Sequence, residues 1–171
     1  IYGYVFSWIG ILVASFMAGA AGGAMLITTV LGRIKNHFKV FKLIELAIIC
    51  FSIAFPFVFL AMPTYPGNSE VSFLFKVLFL TLSFMSGFLT GSQFPLANKL
   101  YLQKSGNLSQ TAGLLYASDL MGGWLGGIAG AVVLLPVLGL TGTCITVGLL
   151  KLASFTVITT RHDRHLLGRE T

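Results

Sequence analysis

The feature that most constrains this chain is a series of apolar segments, each about as long as a helix that crosses a lipid bilayer. Polar interruptions separate five of them, at residues 4–31, 43–62, 71–94, 111–135 and 140–160. Roughly 20 residues of α-helix span the roughly 30 Å hydrocarbon core. Only 9% of the 171 residues are charged, against about 25% in soluble domains. The pattern predicts an all-α integral membrane protein, a single-domain bundle of about five transmembrane helices.

The basic residues predict how these helices are oriented. Residues 63–70 and 136–139 contain no Lys or Arg, whereas the other two connections and the tail are basic. Basic segments stay in the cytoplasm, so we expect the N-terminus outside and the C-terminus in the cytoplasm, in a bacterial inner membrane. The same alternation leaves four or six helices as alternatives. Topology explains the net charge of +6 better than nucleic-acid binding, because no basic stripe alternates with exposed aromatics. The basic residues of the two connections and the tail are Arg33, Lys35, Lys39, Lys42, Lys99, Lys104, Arg161, Arg164 and Arg169.

An acidic residue, Asp119, lies inside the fourth apolar segment. A carboxylate in a membrane span is costly, so it is usually paired, turned towards a protein interior, or functional. Lys151 lies at a similar expected depth in the fifth segment, roughly 12–14 Å from the cytoplasmic side. We therefore predict an Asp119–Lys151 ion pair. The alternative is that Lys151 extends to the surface while Asp119 caps a helix break or bonds Ser118 or Tyr116.

Two further polar residues are candidates for binding. Glu45 lies near the cytoplasmic end of the second segment, three residues after Lys42, which predicts a salt bridge at the membrane interface. Gln93 precedes Phe94-Pro95 and is expected to bond carbonyls that the proline frees, or to face a cavity. Together with Tyr116, these residues form the candidate polar set.

Two prolines predict helix breaks. Pro95 removes a backbone donor and disfavours helix at the residue before it, so the third helix is expected to end or kink there. Pro136 and Gly139 are expected to turn the fourth helix sharply into the fifth, which makes an antiparallel hairpin.

Glycines at short spacing predict close helix packing, because small residues let helix backbones approach each other in lipid. They are concentrated in the first and fourth segments, which predicts that these two helices are tightly packed. A ligand path lined by glycine backbone is the alternative. The candidate packing residues are Gly19, Gly22, Gly23, Gly122, Gly126 and Gly130.

Several cofactor and enzyme classes lack their sequence signatures. The histidines His37, His162 and His165 all lie in basic segments outside the apolar runs, so no bis-histidine haem site is available within the membrane. A phosphate-binding loop and a Cys-x-x-Cys-His motif are also missing. We expect no cofactor, no metal site and no catalytic residue in this chain.

Three motifs in order carry a family resemblance: residues 87–97 (GFLTGSQFPLA), 116–122 (YASDLMG) and 134–140 (LLPVLGL). Together they resemble the membrane region of spermidine-synthase-like integral membrane proteins, also described as fused transporter/spermidine synthases. The resemblance implies a helical membrane domain that is normally joined to a soluble aminopropyltransferase-like domain. No βαβ pattern of such a domain occurs in residues 1–171. The chain matches only the later helices of that region, which predicts a fragment, a split subunit or a shortened relative.

These observations predict a non-catalytic membrane subunit or anchor that docks a soluble or membrane partner protein. Two alternatives remain open at this point. One is a transporter, or part of one, for a cationic solute such as a polyamine, with Asp119 and Glu45 as charge partners. The other is a cofactor-free scaffold subunit of a respiratory or electron-transfer complex. In each case the lipid bilayer is one partner, and no nucleic acid is expected.

Overall fold

The computed structural model describes the backbone of residues 2–34, 36–60, 69–105 and 108–167, and the side chains of 6–34, 36–58, 73–102 and 112–160. Every regular element in these ranges is helical, which confirms the all-α prediction. The elements are α1 (Tyr2–Val30), α2 (His37–Leu60), α3 (Ser69–Ser105), α4 (Leu108–Ile128), a π-helical segment (Ala129–Leu134) and α5 (Leu135–Leu167).

Four helical segments of the described chain are long and apolar enough to cross a membrane: Phe6–Val30, His37–Val58, Phe73–Leu102 and Ala112–Thr160. The fourth has 49 residues, which as straight helix would measure about 73 Å, more than twice the hydrocarbon core. This segment contains a backbone break, so its length fits two crossings better than one. The membrane class of the fold is therefore supported, while the number of crossings and their direction stay predictions.

The break in the fourth segment lies at Gly139, whose backbone angles are φ 67° and ψ −176°. Only glycine adopts this region readily, because a Cβ would clash there. Pro136 lies three residues earlier, within helical backbone, and the N–H of Leu135 reaches back to the carbonyl of Gly130. This wider π turn precedes a proline that cannot donate, and both features are known causes of helix kinks. Of the two residues predicted to make this turn, Pro136 and Gly139, it is Gly139 that leaves the helical conformation.

Of the two alternatives predicted at Pro95, an end or a kink, the end is wrong, since α3 continues to Ser105. A proline costs a helix one donor, and membrane helices tolerate this because neighbouring groups satisfy the freed carbonyl. The next residue, Leu96, has no exposed surface at all, and Ser92 one turn earlier is also buried. Packing on both sides of the proline thus favours helix over a turn.

The second helix begins six residues before the apolar segment that predicted it, at His37. Asn36 accepts a hydrogen bond from the backbone N–H of Lys39 through its side-chain oxygen, at 3.4 Å, which is the arrangement of an N-terminal cap. The ring nitrogen Nε2 of His37 lies 3.2 Å from the carbonyl oxygen of Leu31, just beyond the end of α1. These polar contacts extend the helix into the basic connection, where hydrophobicity carries no signal.

The chain forms two compact units. The first unit contains α1, the start of α2 as far as Ile44, and α3. The second contains the rest of α2 from Glu45, followed by α4 from Gly113, the π-helical segment and α5.

In the first unit, α1 and α3 pack in parallel through glycines that lie on both helices. A Cβ at Gly19 or Gly23 of α1 would overlap the backbone carbonyl of Phe84 or Phe88 on α3. A Cβ at Gly87 or Gly91 of α3 would likewise overlap the backbone carbonyl of Phe16 or Ala20 on α1. Each helix therefore presents two glycines spaced by four residues, the arrangement that lets membrane helices approach most closely.

Two serine hydrogen bonds join the same pair of helices. The Ser15 hydroxyl on α1 donates to the carbonyl of Leu80 at 3.0 Å, and Ser83 on α3 donates to the carbonyl of Leu12 at 2.9 Å. Their reciprocal arrangement fixes how far the two helices are shifted along each other. Gly19 and Gly23 lie where the backbones of the two helices approach each other. By contrast, the nearest neighbour at Gly22 is a Phe88 ring atom at an ordinary 4.0 Å.

Candidate functional site

The second unit contains an ion pair between α2 and α5. The Nζ atom of Lys151 lies 3.4 Å from each carboxylate oxygen of Glu45. The Glu45 side chain is 3% exposed and that of Lys151 is 31% exposed. A buried carboxylate needs a cation or several hydrogen-bond donors to offset its desolvation. The pair therefore explains how Glu45 is accommodated inside an apolar helix.

A second polar contact lies along the same two helices. The Ser52 hydroxyl donates to the carbonyl oxygen of Cys144 at 3.0 Å. Ser52 is seven residues after Glu45, and Cys144 is seven residues before Lys151, so α2 and this part of α5 run antiparallel. Gly148, between the two contacts, would place a Cβ 3.4 Å from a side-chain atom of Ile53. The absence of a side chain there lets α5 lie close to α2.

The predicted Asp119–Lys151 pair is not the one that forms. Lys151 pairs with Glu45, and Asp119 is exposed, with no ion pair to Lys151 in the described part of the chain. Asp119 is 20 residues before Gly139 and Lys151 is 12 residues after it, so they are offset by 8 residues, or roughly 12 Å along a helix, relative to the break. The sequence predicted equal depths for Asp119 and Lys151 because it counted residues from the cytoplasmic ends of their two segments. Counted from the break at Gly139, the two depths differ.

Glu45 also differs from its predicted role as an interfacial partner of Lys42. The ammonium group of Lys42 lies 5.1 Å from the centroid of the Phe38 ring, one turn earlier in α2, a cation–π arrangement. Glu45 is turned towards α5 instead. Spacing within α2 predicted Lys42 as the partner of Glu45. The cation that contacts Glu45 is Lys151, which lies 106 positions later in the chain.

The fourth helix is the least covered element of the second unit. Leu115 is half-buried, and every other side chain of α4 that the structure describes is exposed. Asp119 belongs to this exposed set, as does Tyr116, which is 59% exposed. No atom from outside the helix lies within 4 Å of a Cβ built at the three predicted packing glycines, Gly122, Gly126 and Gly130. The expected tight packing of this glycine ridge is therefore absent among the described residues.

The candidate residues fall into both units. Gln93 lies in the first unit, where it is half-buried on α3 next to Ser92. Glu45, Tyr116, Asp119 and Lys151 belong to the second. The structure brings Glu45 and Lys151 together and leaves Tyr116 and Asp119 on the open surface of α4.

Sequence reasoning missed several residues that make these contacts. Gly87 and Gly91 have the same four-residue spacing as Gly19 and Gly23, and this spacing could have identified α3 as the partner of α1. The seven-residue spacing of Glu45 with Ser52, and of Cys144 with Lys151, is a weaker signal for the contact between α2 and α5.

Comparison with family models, curated proteins and solved structures gives no match to this chain.

Proposed function

We propose that this chain is a non-catalytic membrane subunit that docks another protein, and that α4 is the docking helix. The observation that carries the proposal is the open surface of α4, which bears Asp119 within an apolar segment. The two helix pairs of the units, α1 with α3 and α2 with α5, already pack through polar contacts and small residues. α4 also carries closely spaced glycines, but in the described chain no atom outside the helix lies within 4 Å of a Cβ built at Gly122 or Gly126.

Asp119 makes α4 costly to leave in contact with lipid. An Asp at the centre of a membrane helix costs roughly 2.5–3.5 kcal/mol on insertion scales. Glu45 is relieved of a similar cost by Lys151. A protein partner that covers α4 would relieve Asp119 in the same way and would also fill the open glycine surface. This is why docking is the function that the geometry supports best.

Five crossings are part of the proposal, with the N-terminus outside, the C-terminus in the cytoplasm, and a bacterial inner membrane as the location. The parallel arrangement of α1 and α3 supports it, because alternate helices of a multi-span chain run in the same direction. The antiparallel arrangement of α2 and α5 supports it too, since a second and a fifth crossing run in opposite directions. The break at Gly139 allows the 49-residue segment to cross twice.

Cysteine labelling tests this topology. In a C50A/C144A background, Val137→Cys is expected to react with a membrane-impermeant maleimide in intact cells, because Val137 is 74% exposed beside the Gly139 break. Arg33→Cys, in the exposed turn after α1, is expected to react only after permeabilisation. If residues 112–160 crossed once, Val137 would be in the middle of the bilayer and protected in both conditions.

The resemblance to spermidine-synthase-like membrane proteins gives the proposal its wider setting. We infer that this membrane module anchors a soluble aminopropyltransferase-like protein or domain, or a membrane partner of it. Transport of a cationic solute is less well supported. Both oxygens of Glu45 already contact Lys151, so a solute amine would have to displace that ammonium group.

Mass spectrometry after purification in mild detergent tests the docking function. The tagged chain is expressed at its native level, and both its intact mass and every copurifying protein are measured. We expect a stoichiometric partner protein, or a longer chain that carries the soluble domain. A stable, partner-free monomer of the mass of this sequence would contradict the proposal.

A further inference from the structure

We infer that the partner of α4 is a transmembrane helix of another protein, and that this helix places a Lys or Arg against Asp119. The inference rests on the proposed docking function and specifies the chemistry of the partner. It follows from the position of Asp119 on α4, from the chemistry of its carboxyl group, and from the repulsion that a two-fold contact with a second copy would create.

Asp119 shares one face of α4 with the open glycines. At 100° per residue, Asp119, Gly122 and Gly126 lie within about 60° of each other around the helix axis. No atom outside the helix lies within 4 Å of a Cβ at either glycine. Met121, which is 63% exposed, lies on the opposite side of α4. A partner helix can therefore approach the α4 backbone closely on the one face that also carries the carboxylate.

The charge of Asp119 decides what the partner helix must contain. An ionised carboxylate only accepts hydrogen bonds, and a cationic donor stabilises it more than a neutral one does. Glu45 shows how this chain solves the problem elsewhere, with an ammonium group in contact with both oxygens. Charge complementarity therefore points to a basic side chain at the depth of Asp119.

A second copy of this chain that docks through the same face does not place a cation against Asp119. Three cations of the described spans have contacts within the chain: Lys151 pairs with Glu45, the Lys42 ammonium lies over Phe38, and the Lys76 ammonium lies 5.1 Å from the centroid of the Trp8 ring. Lys39, near the start of α2, and Lys99, near the end of α3, are exposed. A two-fold contact through this face would also bring two Asp119 carboxylates towards each other, and like charges at close range disfavour ionisation. The complementary cation therefore comes from a different protein.

The test uses the full-length chain in its native membrane. A photoreactive benzoylphenylalanine replaces Tyr116, which neighbours Asp119 on α4, and the matched control carries it at Met121. We expect a crosslink from position 116 to a transmembrane segment that contains Lys or Arg, and much less from position 121. In detergent, Asp119→Asn is expected to weaken partner retention about tenfold. Asp119→Glu should retain the partner and Asp119→Lys should lose it, with each variant's thermal stability measured as a folding control.

Charge exchange gives the decisive result. Asp119→Lys combined with Lys→Glu or Arg→Glu at the crosslinked basic residue of the partner is expected to restore retention. Undiminished retention by Asp119→Asn, together with loss by Gly126→Leu, would leave docking intact and overturn the cationic contact. A crosslink between two copies, or within one chain, would also overturn the inference. Absence of any partner from the unmodified chain would instead defeat the proposed function itself.

Discussion

Replacing Gly91 with leucine is expected to separate α1 from α3 and to destabilise the first unit by about 2–3 kcal/mol or more. A Cβ at this position would overlap the backbone of Ala20, and backbone atoms cannot move aside as a flexible side chain does. The separation would also lengthen the two serine hydrogen bonds, from Ser15 to Leu80 and from Ser83 to Leu12. The measurement is the free energy of unfolding in mixed micelles.

Gly10→Leu is the matched control for this substitution. Gly10 lies in the same helix pair, on α1, and no atom comes within 4 Å of a Cβ built there. Its replacement is expected to change stability by no more than about 0.5 kcal/mol against unfolding, or to stabilise the helix slightly. Equal losses at Gly10 and Gly91 would show that leucine acts through helix propensity or insertion, and that the close contact of α1 with α3 is wrong.

A double-mutant cycle on Glu45 and Lys151 is expected to give a coupling free energy of about 1–3 kcal/mol. Lys151→Met leaves the buried Glu45 carboxylate without its cation, so this single variant should be less stable than the Glu45→Gln/Lys151→Met double variant. The value lies below that of a fully buried pair because the Lys151 side chain is 31% exposed, and exposure weakens an ion pair through solvent screening.

The matched cycle pairs Lys151→Met with Asp119→Asn. Both cycles remove a carboxylate and the same ammonium group, but among the described residues Lys151 forms an ion pair with Glu45 and none with Asp119. The second cycle is therefore expected to be additive within about 0.5 kcal/mol. A larger coupling for Asp119 than for Glu45 would reverse the assignment and restore the pairing that the sequence suggested.

The sequence predicted the helices better than it predicted their ends. The apolar segments of residues 4–31 and 43–62 became α1 and α2, because the cost of leaving backbone groups unpaired in lipid forces helix on any long apolar run. The third helix continues beyond Pro95 because its flanking residues, Ser92 and Leu96, are buried. A proline rule that considers only local backbone geometry does not contain that information.

For the candidate site, the sequence identified the charged residues but not their partners. Asp119, Glu45 and Lys151 all stand out as charges in apolar surroundings. Which carboxylate meets Lys151 depends on how the helices are rotated and shifted along each other. Counting depth from helix ends cannot supply these quantities, since an error of a few residues at one end moves a side chain by about 5 Å per turn.

By itself, therefore, the sequence determined that this chain is helical, that its helices suit a membrane, and that glycine brings α1 close to a neighbour. These properties depend on local residue order and on transfer from water to lipid. Only the tertiary structure decided that α3 is that neighbour, that Glu45 takes Lys151, and that α4 keeps Asp119 on an open surface. These outcomes depend on contacts between residues far apart in the chain, 106 positions in the case of Glu45 and Lys151, and no local pattern encodes how two helix faces meet.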